Sequence, residues 1–219
     1  GKTGLSINLA LQLNSRQRRG SPEAAGQAKK RFGINGVEII SADSRQVYRR
    51  MDIGTGKVTK KEMQGIPHYL LDVANPKRRF TVAQYRRLAL GAIDKIFKKN
   101  KAPILCGGTG FYIQAVVDGI LIPGVPPDWK LRKKIEKKSS KELYLMLKKI
   151  DPGRAKTIEK GNPRRLIRAI EIVTKTKKPI PPLQKKPLPY PVLMIGVKKE
   201  KKELSSLIRR RILKRLKKG

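Results

Sequence analysis

The chain of 219 residues has little cysteine, few aromatic residues and few acidic side chains, and each shortage excludes a class of protein. Its single cysteine excludes a disulfide framework and a zinc site built on cysteines. Aromatic residues make up 5% of the chain, which does not indicate the base-stacking surfaces of single-strand-binding proteins. No apolar run approaches the roughly 18 residues of a membrane span, so we expect a cytoplasmic protein without membrane association.

The charge of the chain is strongly basic and unevenly distributed. Lys and Arg number 53 and Asp and Glu 16, for a net charge of +37. Residues 130–219 carry 31 basic and 7 acidic side chains, against 22 and 9 in residues 1–129. Such a field concentrates polyanions, and each phosphate that a basic side chain neutralises releases a counterion. Nucleic acid is therefore the expected partner, and the alternative is that most lysines form solvated faces.

The first half of the chain alternates between strand and helix patterns. Apolar strands are predicted at 37–40 and 103–106, and Thr81 and Gln84 fit a capping box at the start of an amphipathic helix. This alternation predicts a parallel α/β sheet. Ligands of such sheets bind beyond the carboxyl ends of the strands.

Two stretches depart from this alternation. Residues 14–36 are rich in Arg, Gly, Ser, Gln and Ala and are interpreted as an insertion that forms a loop or a weak helix end. Residues 119–189 combine prolines with charged helical segments, and a strand is expected again at 192–197 before a last helix. We therefore predict an α/β core over 1–118 and 190–219 with a helical insertion over 119–189.

Gly1, Lys2 and Thr3 precede an amphipathic helix, as the end of a phosphate-binding loop does. The full motif is G-x-x-x-x-G-K-[ST], in which backbone N–H groups and the lysine bind phosphate and the hydroxyl binds magnesium. The alternative for these three residues is an ordinary helix start.

Asp43 and the segment Gly107-Gly108-Thr109-Gly110 each follow a predicted strand. A carboxylate at that place suits a general base or a magnesium ligand, although Asp is also a favoured capping residue. Glycines allow a close approach of backbone to a ligand, although they also suit a tight turn.

Three other features have a chemical and a structural interpretation. His68 is the only histidine, and packing is favoured over catalysis for a lone histidine after proline. Cys106 lies in an apolar strand and is assigned to the core. Arg164, Arg165 and Arg168 lie three and four residues apart on a predicted helix, where their guanidinium groups suit phosphate oxygens. The alternative for this cluster is a solvated helix face.

Six segments together resemble the tRNA dimethylallyltransferase family, also called tRNA isopentenyltransferases, and they follow the family's order over almost the whole chain. They are Gly1-Lys2-Thr3, SADSRQVYRRMDIGTGK at 41–57, GIPHYLLDV at 65–73, FTVAQYRRLA at 80–89, PILCGGTGFYIQAV at 103–116 and NPRRLIRAIEI at 162–172.

This resemblance implies an α/β, P-loop NTPase-like parallel sheet core with a helical insertion that grips the anticodon stem-loop of tRNA. It implies transfer of a dimethylallyl group from dimethylallyl diphosphate to the exocyclic amine of the adenosine 3′ of the anticodon. Because that amine is buried in a stacked loop, the base must be extruded. The protein is expected to act as a monomer.

The resemblance also implies a role for individual residues. Gly1, Lys2 and Thr3 are expected to bind the diphosphate, with Mg²⁺ on Thr3, and Asp43 is the expected general base. Thr109 and Arg132 match further substrate-contact positions of the catalytic site. The residues expected to contact tRNA are Asp43, Ser44, Arg45, Gln46, Arg164, Arg165, Leu166, Ile167 and Arg168.

Relative to the family pattern, the start of the phosphate loop and the C-terminal helices are expected to be missing, as in a fragment. Two other functions therefore stay open. One is a small-molecule or nucleotide kinase with a phosphate loop, and the other is a tRNA-binding protein without turnover.

Overall fold

A computed structural model shows two compact units in the chain. The core unit consists of Gly1–Ile120 and Lys186–Gly219, and the inserted unit of Leu121–Lys185. The corresponding boundaries expected from the sequence are 118/119 and 189/190. The structure describes residues 1–14, 22–121, 123–182 and 184–217.

The described residues form ten helices and three strands. The strands are β1 (Val37–Ser41), β2 (His68–Tyr69) and β3 (Ala102–Cys106). The helices are α1 (Lys2–Leu13), α2 (Pro22–Phe32), α3 (Lys60–Met63), α4 (Val82–Phe97), α5 (Gly110–Val117), α6 (Trp129–Ile135), α7 (Ser140–Ile150), α8 (Pro152–Thr157), α9 (Pro163–Thr176) and α10 (Lys201–Leu216).

The three strands form one parallel sheet in the order β2-β1-β3, with β1 buried along its whole length. Successive residues of a strand point to opposite faces of a sheet, and β1 shows this clearly. Val37 and Ile39 pack with α1, whereas Ile40 packs with α4 and α5 around the buried Tyr85. Both faces are thus covered by helices, as a parallel sheet requires. The predicted parallel α/β core is confirmed.

Local capping signals begin the helices where the sequence predicts. The Thr81 side chain accepts a hydrogen bond from the Gln84 backbone N–H, and the Gln84 side chain accepts one from the Thr81 backbone N–H at 2.8 Å. Asn162 caps α9 by accepting a hydrogen bond from the Arg165 backbone N–H at 3.3 Å, with Pro163 in the first turn.

Two segments of the core unit differ from expectation. The segment 14–36, interpreted as a loop or a weak helix end, contains a complete helix over 22–32, because Pro22 begins a segment rich in Ala, Gln and Lys that suits a helix; residues 15–21 lie outside the described residues. Residues 192–197 do not form the predicted strand, and Leu193 is 85% exposed. Their composition favours a strand, but a strand also needs a hydrogen-bonded neighbour, and none of the described strands pairs with this segment.

The inserted unit is helical, as predicted. Helices α6 to α9 surround an apolar core in which Leu143, Leu147 and Leu166 are fully buried. Asp151 connects two ends of this unit, since its Oδ1 caps α8 and its Oδ2 accepts a hydrogen bond from the Ile180 backbone N–H at 2.7 Å. None of the helices in the described part of the chain is both long and apolar enough to cross a membrane.

Candidate active site

The carboxyl ends of β1 and β3 lie side by side, with Ser41 paired to Cys106. Beyond them the backbones stay together: the Ala42 N–H donates to the Cys106 carbonyl at 2.8 Å, and the Thr109 N–H donates to the Ala42 carbonyl at 3.1 Å. A Cβ atom at Gly107 would lie 2.1 Å from that Ala42 oxygen, so this approach requires glycine. The structure thus brings both predicted ligand-binding segments to one edge of the sheet.

Thr109 joins these two segments through its side chain. It stands at the N-cap position of α5, but its hydroxyl does not cap the helix. Thr109 Oγ1 instead accepts a hydrogen bond from the Ser44 backbone N–H at 2.9 Å and lies 3.2 Å from Ser44 Oγ, to which it donates. Thr109 therefore holds the turn that carries Asp43; its predicted contact with substrate stays a prediction.

Asp43 uses one carboxylate oxygen as a cap. Its Oδ1 accepts hydrogen bonds from the backbone N–H groups of Arg45 at 2.8 Å and Gln46 at 3.3 Å. Within the described residues its Oδ2 accepts no hydrogen bond. Oδ1 thus caps a turn and not the helix start that the alternative interpretation requires, and the resulting orientation leaves Oδ2 available to accept a proton.

Two stacked tyrosines, which the sequence did not single out, support this edge of the sheet. The rings of Tyr85 and Tyr112 lie 3.9 Å apart, and the Tyr85 hydroxyl donates to the Ser41 carbonyl at 3.0 Å. Burial, together with the negative charge of Asp43 and the nearby Tyr48, raises the pKa of Tyr112 to about 12. Tyr112 is therefore a neutral phenol in the field of the Asp43 carboxylate.

Lys2 reaches the same group of loops from α1. Its Cε atom is 4.0 Å from the place that a Cβ atom at Gly108 would occupy. Gly1 stands at the N-cap of α1 without a side-chain cap, and Gly1, Lys2 and Thr3 are all exposed. An exposed helix N-terminus beside a glycine loop and a lysine is an arrangement that suits an anion.

Lys57 is a further residue that the sequence pattern missed. Its buried ammonium group donates to the Tyr48 carbonyl at 2.8 Å, to Asp52 at 2.6 Å and to Asp72 at 2.5 Å. Burial by itself would lower the pKa of Lys57, but the hydrogen bonds that it donates to the Asp52 and Asp72 carboxylates outweigh burial and raise the pKa. No periodicity marks these partners, since they lie in loops.

The loop around Lys57 also binds the side chain of Gln46, one of the residues expected to contact tRNA. The Gln46 side chain donates to the Gly56 carbonyl and accepts from the Val58 backbone N–H, both at 3.4 Å. The amide is thus oriented by backbone groups on either side of Lys57. A network of this kind gives Gln46 a defined direction at the edge of the sheet.

In the inserted unit, Arg132 is held by a buried carboxylate. Glu171 on α9 is fully buried, and its two oxygens accept from Nε and Nη2 of Arg132, each at 2.8 Å. It also accepts from Arg168 Nη1 and from the Asp128 backbone N–H. Burial would raise the pKa of Glu171, but the hydrogen bonds from Arg132, Asp128 and Arg168 outweigh it and lower the pKa to about 2. In the sequence, the only sign of this network is Glu171 itself, an acidic residue on the apolar face of the basic helix α9.

The expected tRNA-contacting segment of α9 divides into inward and outward residues. Arg164 is exposed, and Arg165 is exposed and paired with Glu159 at 3.0 Å. Leu166 is fully buried in the helical core, and its expected contact with tRNA stays a prediction. Ile167 packs against that core, and its side chain is only partly buried.

Arg168 also differs from the expected shared polar face. Its Nη1 donates to Glu171 and its Nη2 to the Val125 carbonyl at 2.7 Å, so both terminal nitrogens bind protein groups. Of the site residues predicted from the sequence, Asp43, Ser44 and Thr109 meet at the sheet edge. Arg132, Arg164, Arg165 and Arg168 belong to the inserted unit.

The surroundings of His68 and Cys106 are those of packed side chains. His68 Nδ1 lies 2.8 Å from the Ile66 carbonyl, and burial lowers the pKa of the imidazole despite that hydrogen bond. Cys106 packs against the cluster that contains Val37 and Ile39.

Comparison with known proteins identifies relatives of this architecture. A model of the IPP transferase family matches residues 46–219. The tRNA dimethylallyltransferase of Acetivibrio thermocellus is 42% identical over 210 residues, which cover 90% of this chain and 67% of that protein. The tRNA dimethylallyltransferase of Halothermothrix orenii is 40% identical over 220 residues, covering 97% of this chain and 60% of that protein. The chain thus spans between 60% and 67% of the length of these two relatives.

Solved structures of similar proteins share the fold. The full-length tRNA isopentenylpyrophosphate transferase from Bacillus halodurans is 34% identical with a TM-score of 0.58. The match covers 100% of this chain and 63% of the Bacillus halodurans chain. A eukaryotic dimethylallyltransferase, described as acting on tRNA, is 27% identical with a TM-score of 0.57, covering 81% of this chain and 40% of its own. The predicted fold class, an α/β core like that of P-loop NTPases, is confirmed by these neighbours.

Proposed function

The chain belongs to the IPP transferase family, and from this membership we propose that it transfers a dimethylallyl group from dimethylallyl diphosphate to an adenosine of tRNA. The acceptor is the exocyclic amine of the adenosine on the 3′ side of the anticodon. One observation carries the proposal: Thr109 ties the turn of Asp43 to a glycine loop that Lys2 also approaches. A proton acceptor and an anion-binding group thus share one sheet edge.

The donor's diphosphate is assigned to the start of α1. The first N–H groups of a helix lack partners within the helix and carry partial positive charge, which favours an anion. Lys2 adds a full positive charge beside Gly108. Binding the diphosphate here stabilises the charge that develops when the allylic carbon–oxygen bond breaks.

Magnesium suits this site as a partner of the diphosphate. The described residues contain no group of three His, Cys, Asp or Glu side chains that could hold a metal ion. Mg²⁺ commonly binds through substrate phosphates with few protein ligands, and the Thr3 hydroxyl is the protein ligand we assign to it. When bound, the ion stabilises negative charge on the leaving diphosphate.

Asp43 is assigned as the general base on the adenine amine. The lone pair of that nitrogen is delocalised into the ring, so the amine is a poor nucleophile. Its attack on the allylic carbon forms a carbon–nitrogen bond while the bond to diphosphate breaks, and the nitrogen becomes positive. Asp43 Oδ2 takes the proton, while Oδ1 keeps the carboxylate in place through the backbone N–H groups of Arg45 and Gln46.

The inserted unit is assigned to tRNA binding. Residues 121–185 carry 19 basic and 6 acidic side chains, a net charge of +13. Arg164 and Arg165 lie exposed at the N-terminal turn of α9, where guanidinium and backbone donors both suit phosphate oxygens. This assignment uses the outward residues of the cluster, since Arg168 is occupied by Glu171 and Val125.

The test is a transfer assay with the full chain. Dimethylallyl diphosphate labelled in the allyl group is incubated with unmodified tRNA and magnesium, and the label in tRNA and the released diphosphate are measured. The matched control RNA carries inosine, which lacks the exocyclic amine, next to the anticodon. ATP labelled in the terminal phosphate serves as the alternative donor.

We expect the adenosine RNA to be labelled from dimethylallyl diphosphate and the inosine RNA to stay unlabelled. We expect no transfer from ATP to either RNA. Phosphate transfer from ATP without dimethylallyl transfer would instead identify a kinase. Tight tRNA binding without transfer from either donor would identify a binding protein without turnover.

A further inference from the structure

Glu171 is the most completely engaged carboxylate in the inserted unit. It is fully buried, and its oxygens accept from two arginines and one backbone N–H. A buried carboxylate is costly unless it is paired, and replacing one partner leaves the others unsatisfied. These partners come from three places in the chain, which lie 39, 43 and 3 residues from Glu171. Glu171 therefore determines where α6 and its Arg132 side chain lie within the unit.

Arg132 has N–H groups that remain available after it binds Glu171. Its Nε and Nη2 donate to the Glu171 carboxylate, and within the described residues its Nη1 donates to no protein group. Its guanidinium carbon also lies 4.9 Å from the centre of the Trp129 ring. A guanidinium fixed on two sides presents its remaining N–H groups in one direction, which suits recognition of an anionic oxygen.

Arg168 differs from Arg132 in this respect. Its two terminal nitrogens both bind protein groups, Nη1 the Glu171 carboxylate and Nη2 the Val125 carbonyl. It supplies the second positive charge that keeps Glu171 ionised and in place. Its place in the network is that of a support for Glu171, not of a group directed at solvent.

We propose that Glu171 is a positioning residue that holds the Arg132 guanidinium in the orientation needed for substrate contact, with Arg168 as its second support. The proposal rests on the proposed function, because it takes from the family resemblance that Arg132 contacts the substrate. It reassigns Arg168 from a phosphate contact to a member of the positioning network. Small displacements of a positioned group are expensive in catalysis, of the order of a hundredfold for about 1 Å.

The test is a double-mutant cycle in the full chain with Glu171→Gln, Arg132→Ala and the combined variant. Glutamine keeps the size of the side chain but is uncharged and has one acceptor oxygen in place of two, so it cannot keep all four hydrogen bonds of Glu171. Two quantities are measured: the single-turnover rate of dimethylallyl transfer and the fluorescence of Trp129. Trp129 is the only tryptophan, so its emission and its quenching by acrylamide report on the guanidinium beside it without requiring activity.

We expect Glu171→Gln to lower the transfer rate about tenfold to a hundredfold and to shift Trp129 emission toward that of Arg132→Ala. In the Arg132→Ala background the same change has little further effect on either quantity, because Glu171 acts through Arg132. The matched control is Glu142→Gln, which removes an exposed charge in the same unit and keeps the capping box of α7. It leaves both quantities at wild-type values.

Additive losses of rate, or unchanged Trp129 emission in a folded Glu171→Gln variant, would overturn the proposal. Should Glu171→Gln unfold, Glu171→Asp keeps the charge and withdraws the carboxylate by one methylene. A folded Glu171→Asp with wild-type rate and emission would equally overturn it. A wild-type chain that transfers no dimethylallyl group contradicts the proposed function instead, and the fluorescence cycle still decides whether Glu171 positions Arg132.

Discussion

Ser44 and Thr109 are 65 residues apart and are joined by two hydrogen bonds at the carboxyl edge of the sheet. The Ser44 backbone N–H donates to Thr109 Oγ1 at 2.9 Å, and that hydroxyl lies 3.2 Å from Ser44 Oγ. The pair closes the gap between the turn that carries Asp43 and the glycine loop after β3. The geometry of the proposed base therefore depends on a residue from the other loop.

Thr109→Val tests this dependence. Valine has nearly the same shape but removes both hydrogen bonds, and an unsatisfied, partly buried N–H group costs about 1 kcal/mol of unfolding free energy. We expect transfer to slow about tenfold or more, because the turn of Asp43 loses its support, while tRNA affinity changes little. Thr109→Ser keeps the hydroxyl and is expected to restore most of the rate. Equal rates for the valine and serine variants would contradict this role.

Asp43→Asn tests the general base. Asparagine keeps an oxygen to accept from Arg45 and Gln46, so stability and tRNA affinity should change little. It cannot take the proton from the adenine amine, so we expect single-turnover transfer to fall about 10²–10⁴-fold. The matched control is Asp94→Asn on the exposed face of α4, which should transfer at the wild-type rate. A near-normal rate in Asp43→Asn would show that Asp43 is a cap only.

Arg165→Ala tests the tRNA surface. The exposed ion pair with Glu159 contributes at most about 1 kcal/mol, so the fold should persist. If Arg165 neutralises one phosphate, the slope of log affinity against log salt concentration becomes shallower by about 0.7–0.9. Binding is measured over a salt series, with Lys148→Ala on α7 as the control for loss of a positive charge. An identical change in both variants would assign the effect to net charge rather than to a contact by Arg165.

The pH dependence of stability tests the state of Glu171. Its pKa in the folded protein is lowered to about 2 from an ordinary value of 4.5. A carboxylate with a depressed folded pKa stabilises the protein fully above its unfolded pKa, and that stabilisation is lost as the pH falls through the folded value. We therefore expect the unfolding free energy of the wild type to fall between about pH 4.5 and 2. Glu171→Gln should show a shallower fall, measured by denaturant unfolding at each pH, and parallel curves would contradict the assignment.

Strands β1 and β3 and helices α4 and α9 could be predicted from the sequence because their signals are local. The capping box of Thr81 and Gln84 and the cap of Asn162 act over three residues, so residue types at fixed spacing suffice to find them. The strand-end positions of Asp43 and Thr109 followed in the same way, and with them the expectation that ligands bind at that edge. The predicted strand at 192–197 was wrong, because pairing with a neighbouring strand is not a local property of the sequence.

Tertiary structure decided which side chains meet and which stay available. Arg132 and Glu171 are 39 residues apart, and no spacing rule connects them, because their contact depends on how α6 packs on α9. The same packing turned Leu166 into the core and Arg168 toward Glu171, although the sequence shows both within one basic segment. Helical periodicity defines a face, but burial is decided by the neighbouring helices, and a buried charge must be matched by partners that only the assembled fold can supply.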